Sequence, residues 1–267
     1  MFEAKLNEAS VFKKIVESVK DGFKNCNFDC SEEGISMESM DDAHIALVSM
    51  KLGVEAFSSY RCDRSISLGL NIESLLKVLR TANNNDVLTM RAEDDGDLLT
   101  LVFEDSSNPD RISEYNLKLL NIDQEHMSIP EQEYTATVTL PSSEYQRIIR
   151  DLTQLGDSIT IDAAKDGVRF TAEGDIGSGS VSLKANTNVG EDEKSIDIAV
   201  EEPVALGFNS KYLTQTCKAA PLAPRVSLNM CKRIPIFISY KLQAGHFSFF
   251  LAPQISEGDE EDDEDED

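Results

Sequence analysis

Apolar residues recur along this chain with two different periods, and each period predicts a different kind of element. In four segments they follow the i, i+3, i+4 and i+7 spacing of an amphipathic helix. These segments span residues 10–21, 72–79, 142–155 and 210–220. In the first, the inward side chains are predicted to be Val11, Ile15, Val16 and Val19. Asn71 and Asn209 are predicted N-caps, and Ser143 with Gln146 has capping-box spacing.

Most of the remaining chain consists of short alternating or apolar runs, which predict strands. In the first half these runs span 28–30, 35–40, 45–52, 66–70, 87–92, 98–103 and 112–119. In the second half they span 159–161, 168–172, 181–185, 196–200, 204–208, 226–230, 236–242 and 247–251. Turn dipeptides such as Asp95-Gly96 and Asp166-Gly167 separate neighbouring runs. Many short strands with few helices predict an α+β fold built from antiparallel sheets.

The two halves of the chain also resemble each other. Residues 2–6 and 134–138 open them, and in each half an amphipathic segment with basic residues follows within ten positions. A period of roughly 130–140 residues is too long for a solenoid repeat and predicts tandem domains. We therefore expect two duplicated domains, each with antiparallel sheets and two short helices. The expected boundaries are 1–119 for the first domain, 120–133 for an inter-domain connector and 134–256 for the second domain.

The net charge of −24 is unevenly distributed. Residues 257–267 contain ten acidic residues and no basic one, which leaves −14 for the rest of the chain. Since like charges repel and this segment has nothing apolar to bury, we predict a disordered acidic tail. Such a tail is either a solubilising end or a lure for histones and other basic proteins.

Basic residues recur on the polar faces of all four predicted helices. They are Lys13, Lys14, Lys20, Lys77, Arg80, Arg147, Arg150, Lys211 and Lys218. On a single helix such residues commonly form a solvated face, but their recurrence indicates a repeated positive surface for phosphate contact. The chain has no Trp and the helices lack an Arg/Asn/Gln cluster that reads base edges. The pattern favours sequence-neutral contact with duplex DNA.

Patterns for catalysis, metals and membranes are missing from the sequence. There is no P-loop, G-x-S-x-G or H-E-x-x-H motif, and the three histidines lack metal-ligand spacing. The five cysteines are an odd number without a C-x-x-C pair, as expected of buried, reduced thiols: Cys26, Cys30, Cys62, Cys217 and Cys231. No apolar run approaches the ~18–20 residues of a membrane span. We expect neither an enzyme nor a cofactor, metal or membrane partner.

Several ordered segments together resemble a known family. They are 34–41 with His44 and Phe57, 61–64 continuing through 68–71 to Arg80, and then 129–134, 164–167 and 251–253. Their order and spacing over residues 1 to about 256 are similar to those of the eukaryotic sliding clamp family, proliferating cell nuclear antigen. The resemblance implies a homotrimeric ring in the nucleus, in which the helices surround duplex DNA. It also implies a DNA polymerase processivity factor and a docking platform for replication and repair proteins.

The resemblance further implies roles for individual residues. The DNA-binding signature would include Arg61, Arg64 and Arg80, and Lys165 would be modified with ubiquitin or its relatives. Strands at 112–117 and 176–183 would pair between subunits. Polymerase, clamp loader, flap nuclease and ligase would insert a short aromatic-anchored motif into a groove. That groove would comprise Met40, His44, Ile45, Leu47, Met127, Pro130, Pro235, Phe250, Ala252, Pro253 and Ile255.

Two alternatives stay open on the sequence alone. A subunit of a heterotrimeric checkpoint clamp would share the duplicated domains, and an acidic histone-type chaperone would act through residues 257–267. Intact family segments favour the homotrimeric clamp over the first alternative. Loss of activity on deleting the tail would favour the second.

Overall fold

The computed structural model describes residues 1–108, 110–123, 132–185 and 195–254. These residues divide into two compact units. The first unit takes 1–108, 110–123 and 240–248, and the second takes 132–185, 195–239 and 249–254. The expected connector at 120–133 is described only at its two ends, and the acidic tail lies outside the described residues.

The first unit contains two antiparallel arrays of strands and two helices. In chain order they are β1 (Phe2–Leu6), α1 (Ala9–Val19), β2 (Asn25–Ser31), β3 (Gly34–Met40), β4 (Ala46–Gly53), a 3-10 turn (Val54–Ala56), β5 (Ser59–Cys62), β6 (Ile66–Asn71), α2 (Ile72–Leu79), β7 (Val87–Ala92), β8 (Leu98–Glu104) and β9 (Ile112–Lys118). One array has the order β5-β1-β7-β8-β9, and the other runs β4-β3-β2-β6. β9 therefore ends its array as an edge strand.

The second unit repeats this plan. Its elements are β10 (Ala136–Pro141), α3 (Ser142–Leu152), β11 (Ser158–Ala164), β12 (Gly167–Gly174), β13 (Gly177–Leu183), β14 (Asp197–Val200), β15 (Val204–Asn209), α4 (Ser210–Thr216), a 3-10 helix (Cys217–Leu222), β16 (Arg225–Met230), β17 (Ile236–Leu242) and β18 (Gly245–Leu251). β13-β12-β11-β15 form one array, with β13 at its edge, and β14-β10-β16-β17 are neighbours in the other. Residues 240–248, around the β17–β18 turn, belong to the first unit.

The order of elements confirms the predicted duplication and the α+β class. In the described residues each half runs strand, helix, five strands, helix, three strands. In each half, the two helices follow strands at equivalent places in the order of elements. Helix α1 therefore corresponds to α3, and α2 corresponds to α4. Any property carried by one helix pair therefore has a counterpart in the other half.

The cores form where the apolar faces of helices and strands meet. Phe2, Ala4 and Leu6 alternate inward along β1, as the period of two requires. On α1 the buried stripe is formed by Phe12, Ile15, Val16 and Val19, whereas Val11 is half-buried. The predicted inward position of Val11 is thus wrong, because the larger Phe12 packs against Phe28 with ring centroids 5.6 Å apart.

The helix N-termini confirm the two predicted asparagine caps but not the predicted capping box. Asn71 Oδ1 accepts a hydrogen bond from Ser74 N at 3.0 Å, and Asn209 Oδ1 accepts one from Lys211 N at 3.0 Å. Both are predicted caps. The capping box at α3 is wrong: no side chain caps this helix, and Gln146 Nε2 donates instead to the carbonyl oxygen of Cys217 at 3.2 Å. A tertiary partner has replaced the local one.

Two predicted helices extend three or more residues beyond the C-terminal ends of the observed ones. α3 ends at Leu152, three residues before the predicted end. The segment predicted as helix over 210–220 is α4 followed by a 3-10 helix that contains Pro221. Proline has no N–H for the helical ladder, so the α-helix cannot continue through it.

Candidate functional site

In the first unit, the polar faces of α1 and α2 flank a cleft lined by basic side chains. Lys14, Lys20, Lys77 and Arg80 are exposed, and Lys13 is half-buried. The cleft has a volume of about 760 Å³ and is lined by Lys20, Asp21, Gly22, Phe23, Lys24, Asn25, Ser39, Met40, Asp42, Asn71, Glu73, Leu76, Lys77 and Arg80. Three of the predicted cations thus share one concave surface, which also contains the acids Asp21, Asp42 and Glu73.

Lys24 is a further cation in this cleft that the sequence pattern missed. It lies beyond α1, after Gly22 and Phe23, so a search confined to helix faces does not find it. The backbone here is held by Asn71, whose Nδ2 donates to the carbonyl oxygen of Lys24 at 3.3 Å and to Asn25 Oδ1 at 3.0 Å. The helix-capping residue therefore also positions the chain that carries Lys24.

In the second unit the equivalent helices carry a smaller set of cations. Arg147 and Arg150 on α3 expose about two thirds of their side chains, 65% and 67%. Lys211 on α4 is also exposed, but Lys218 is half-buried and lies in the 3-10 helix. The i, i+7 spacing predicts that Lys211 and Lys218 share one α-helical face. This prediction is wrong, because the two residues lie on different helical segments.

Carboxylates on the same helices contact four of these cations. The Nζ atom of Lys77 lies 2.8 Å from Glu73, and the Lys77 ammonium lowers the pKa of that carboxyl. Further contacts join Arg80 to Glu17 (3.9 Å), Arg147 to Glu144 (3.7 Å) and Asp151 (3.9 Å), and Arg150 to Asp151 (3.3 Å). The basic surface is consequently interleaved with acids.

The three arginines of the signature segment are divided between strands and a helix end. Arg61 on β5 makes a two-pronged contact with Asp63, with both hydrogen bonds at 2.8 Å, and this contact lowers the pKa of Asp63. Arg64 lies in the following turn and pairs with Asp94 at 3.1 Å. Arg80 alone follows a helix. Arg61 and Arg64 already have carboxylate partners within the first unit.

The first-unit part of the predicted partner groove is a tight turn after β3. Asp41 Oδ1 accepts hydrogen bonds from the backbone N–H groups of Ile45 and Ala46, at 2.8 and 2.7 Å. His44 adopts a left-handed conformation with φ +56°, and its Nδ1 lies 2.9 Å from Met40 Sδ. His44 and Ile45 are exposed and Met40 is half-buried.

The fourth predicted groove residue of this unit lies beneath the surface. Leu47 on β4 is only 6% exposed, so it supports the turn from inside more than it lines a surface. Residues 42–44 are exposed in this turn.

The second-unit part of the predicted groove is aromatic. Phe250 on β18 stacks on Phe237 with ring centroids 4.7 Å apart at 26°, and Phe237 in turn stacks on Tyr134 at 6.0 Å and 21°. Pro235, Phe250, Ala252 and Pro253 are all half-buried. The sequence pattern places Phe250 on a core strand and gives no sign of the Phe237–Tyr134 extension.

The chain after β18 is held in place. Gln254 N donates to the carbonyl oxygen of Gly207 at 2.8 Å, and Ser158 Oγ donates to Gln254 Oε1 at 2.6 Å. These bonds fix the segment that contains Ala252 and Pro253. Three further predicted groove residues, Met127, Pro130 and Ile255, lie outside the described residues.

The remaining predicted sites are a turn lysine and two edge strands. Lys165 is exposed in the turn between β11 and β12. β9 and β13 each end an array. Among the described residues, the most exposed large apolar side chains are those of Ile112, at the start of β9, and Ile176, just before β13, at 65% and 76%.

The cysteines only partly meet the expectation of buried thiols. Cys26, Cys30 and Cys217 are buried, and burial raises the pKa of Cys26 to about 11. Cys62 and Cys231 are half-buried, so the expectation is wrong for these two; Cys62 is the last residue of β5, and Cys231 directly follows β16. All five are free. Within the described ranges, no three His, Cys, Asp or Glu side chains are arranged to hold a metal ion.

None of the helices in the described part of the chain has the length and apolar character needed to cross a membrane.

Comparison with known proteins gives matches over both halves. The model "Proliferating cell nuclear antigen, N-terminal domain" matches residues 1–127, and "Proliferating cell nuclear antigen, C-terminal domain" matches residues 128–255. The proliferating cell nuclear antigen of Chaetomium thermophilum is 52% identical over 262 residues, which cover 98% of this chain and 100% of that protein.

Proposed function

Because the chain belongs to the proliferating cell nuclear antigen family, we propose that three copies close into a ring whose helix faces surround duplex DNA. The protein is a DNA sliding clamp and a DNA polymerase processivity factor, and it acts in the nucleus in DNA replication and repair. Its family is a non-enzymatic scaffold. We propose that this chain likewise has no turnover of its own and acts by enclosing DNA and holding partners there.

The observation that carries the DNA-facing assignment is the recurrence of basic helix faces at equivalent places in both units. Lys20, Lys77 and Arg80 share the cleft beside α1 and α2, and Arg147 and Arg150 project from α3. Their side chains are exposed, and the residues lie on the helices or directly after them. Phosphate contact without base-edge contact gives affinity without sequence preference, which is what sliding requires.

Subunit pairing is assigned to the two edge strands. β9 of one chain would add to β13 of the next, so that each open sheet edge finds a partner. The exposed Ile112 and Ile176 would be covered in this arrangement. We retain 1–119, 120–133 and 134–256 as the proposed first domain, connector and second domain.

Partner docking is assigned to the turn after β3 and to the aromatic stack on β17 and β18. Exposed His44 and Ile45 and the half-buried Phe250 offer apolar and aromatic contacts of the kind that anchor a short helical peptide. DNA polymerase, clamp loader, flap nuclease and ligase are the proposed partners. Lys165, exposed in its turn, is the proposed modification site.

The DNA-facing assignment is tested by removing four helix cations: Lys20→Ala, Lys77→Ala, Arg80→Ala and Arg150→Ala in one variant. We expect clamp loading and polymerase stimulation to fall strongly, while light scattering still gives three times the chain mass of 29.5 kDa. A control with the same charge change removes exposed strand cations: Lys51→Ala, Arg91→Ala, Arg169→Ala and Lys241→Ala. Full stimulation by the helix variant, or equal loss in the control, contradicts the assignment.

The tail distinguishes this function from a histone-type chaperone. Deleting residues 257–267 should leave polymerase stimulation intact, because the proposed DNA and partner surfaces lie within 1–256. Loss of activity in the deletion variant would support the chaperone. Light scattering distinguishes the heterotrimeric alternative, since a subunit of a mixed ring would not form a homotrimer alone.

A further inference from the structure

We propose that Glu73 on α2 and Asp151 on α3 are built-in counter-anions that weaken phosphate contact and so favour sliding. The inference rests on the proposed DNA-facing role of the helices and extends it from cations to acids. These carboxylates form ion pairs with the arginine and lysine side chains that would otherwise bind phosphate. DNA must displace them to make the same contacts.

In the first unit, the contact between Glu73 and Lys77 follows from helix geometry. Residues at i and i+4 lie on one face of a helix, and the order acid then base gives the more favourable pair. Glu73 and Lys77 are 2.8 Å apart and expose 78% and 69% of their side chains, so a phosphate can reach the ammonium. Glu17 on α1 similarly lies 3.9 Å from Arg80. Both contacts border the basic cleft.

In the second unit, Asp151 contacts two arginines at once. Its carboxylate lies 3.9 Å from Arg147 Nε and 3.3 Å from Arg150 Nε. Asp151 is in the last turn of α3, where a negative charge is unfavourable to the helix dipole. The helix dipole therefore does not account for an acid at this position. Its contacts with Arg147 and Arg150 do.

Other helix cations differ in this respect. In the described residues no carboxylate lies within 4.0 Å of the Lys14, Lys20 or Lys211 ammonium groups, although the same surfaces contain acids. The helix surface thus combines cations without a carboxylate within 4.0 Å, here called open, with cations that pair with a carboxylate, here called occupied. Open cations attract the duplex, whereas occupied ones exchange one anion for another.

This exchange changes both affinity and salt dependence. A lysine that neutralises a phosphate releases a cation condensed on the DNA, and the number of such contacts sets the slope of log K against log salt. A lysine that leaves its own carboxylate gains less from the phosphate. The acids should therefore reduce DNA affinity, flatten its salt dependence and keep the ring from stopping at any one position.

The test neutralises the two acids without changing side-chain size, in the variant Glu73→Gln with Asp151→Asn. The purified full-length protein is titrated into a short fluorescent duplex of random sequence at about 50 mM salt and at higher salt. We expect the double variant to bind roughly three- to tenfold more tightly and to show a steeper salt slope. On long DNA, loaded rings of the variant should diffuse more slowly.

The matched control is Glu33→Gln with Glu104→Gln. These acids pair with Lys51 at 2.6 Å and Lys5 at 3.0 Å, outside the four helices, and their removal changes the net charge by the same amount. Equal tightening in helix variant and control would show a general charge effect, and no tightening in the helix variant would show that the acids do not compete. Either result overturns the proposal.

A third variant separates this proposal from the function on which it rests. Lys77→Ala with Arg150→Ala should weaken duplex binding if the helices face DNA. If it does so while the acid variant leaves binding unchanged, the helices face DNA and only the counter-anion role is wrong. If neither variant changes binding, the DNA-facing assignment itself is wrong, and the counter-anion proposal falls with it.

Discussion

Replacing Asp41 by alanine should weaken partner binding without unfolding the protein. The Asp41 carboxylate accepts two backbone hydrogen bonds, from Ile45 N at 2.8 Å and Ala46 N at 2.7 Å. Between the acceptor and the two donors the chain passes through His44, which has φ +56°. For a residue other than glycine this conformation costs about 1–2 kcal/mol, so the carboxylate offsets the strain of the turn.

The size of the effect follows from these contacts. A hydrogen bond to a charged acceptor contributes about 1.5–3 kcal/mol when it is shielded from water. Ile45 is exposed, so water can replace part of one bond. We therefore expect Asp41→Ala to lower the free energy that stabilises the ordered turn by about 1–2 kcal/mol. If the turn must be ordered to receive a partner, this corresponds to a fall in peptide affinity of roughly five- to thirtyfold.

The assay is the fluorescence anisotropy of a labelled peptide that carries an aromatic-anchored partner motif, titrated with the trimer. Asp42→Ala is the matched control, because Asp42 is the exposed neighbour, with the same charge and the same turn. Asp41→Asn keeps one acceptor oxygen and should give an intermediate affinity. Asp41→Ala should lower the melting temperature by only a few degrees, as a loss of about 1–2 kcal/mol implies for a chain of this size, and the other two variants should change it less.

Two results would refute this reasoning. If Asp41→Ala binds the peptide as tightly as the unaltered protein, the turn does not need its carboxylate or does not contact the partner. If Asp42→Ala loses as much affinity as Asp41→Ala, the effect comes from charge near the groove and not from the two backbone hydrogen bonds.

Three further predictions concern stability. Asn71→Ala should lower the unfolding free energy by about 1 kcal/mol through loss of a helix cap, whereas Ser143→Ala should have little effect because Ser143 caps nothing; urea denaturation compares them. Gly245→Ala should cost about 3 kcal/mol or more, seen as a large fall in melting temperature, because φ is +143° and an added Cβ would lie 1.8 Å from the carbonyl oxygen of Lys51. Burial, and secondarily the Lys51 charge, lowers the pKa of His246 below 6.5, so the unfolded chain binds its proton first and stability should fall as pH drops below 6.5. His246→Gln should flatten that fall in a pH series of denaturation curves, and an unchanged pH dependence would count against the assignment.

The sequence predicts elements best where one local rule decides the outcome. Asn71 and Asn209 cap their helices as predicted, because a short acceptor side chain before a helix needs only its own backbone. The duplicated order of strands and helices likewise follows from local periods repeated in the two halves. Such features require no knowledge of distant residues.

Predictions fail where a distant partner decides. Gln146 has capping-box spacing but donates to Cys217, which is 71 residues away in the chain. Val11 fits the helical period, yet Phe12 is buried because Phe28 is there to receive it. Burial of that kind depends on which elements meet, and the period of one helix does not contain it.

The candidate site shows the same division. The basic residues on helix faces can be predicted from spacing alone, but Lys24 joins them only because the chain after α1 turns back to the cleft. The Asp41 turn carries no glycine to mark the positive φ at His44, and the Phe250–Phe237–Tyr134 stack joins residues more than 100 positions apart. Family resemblance supplied His44 and Phe250, but it supplied neither Lys24 nor the Phe237–Tyr134 extension.

The two unlike sheet edges have a consequence for how rings are built. If β9 pairs with β13 as proposed, and not with itself, every association is head-to-tail and a pair of chains still has one free β9 and one free β13. A third chain removes both at once, and its last contact is intramolecular, with a high effective concentration. The curvature of each joint thus decides between a closed product and an open polymer. A substitution that alters this angle while preserving the strand pairing would convert a discrete particle into filaments.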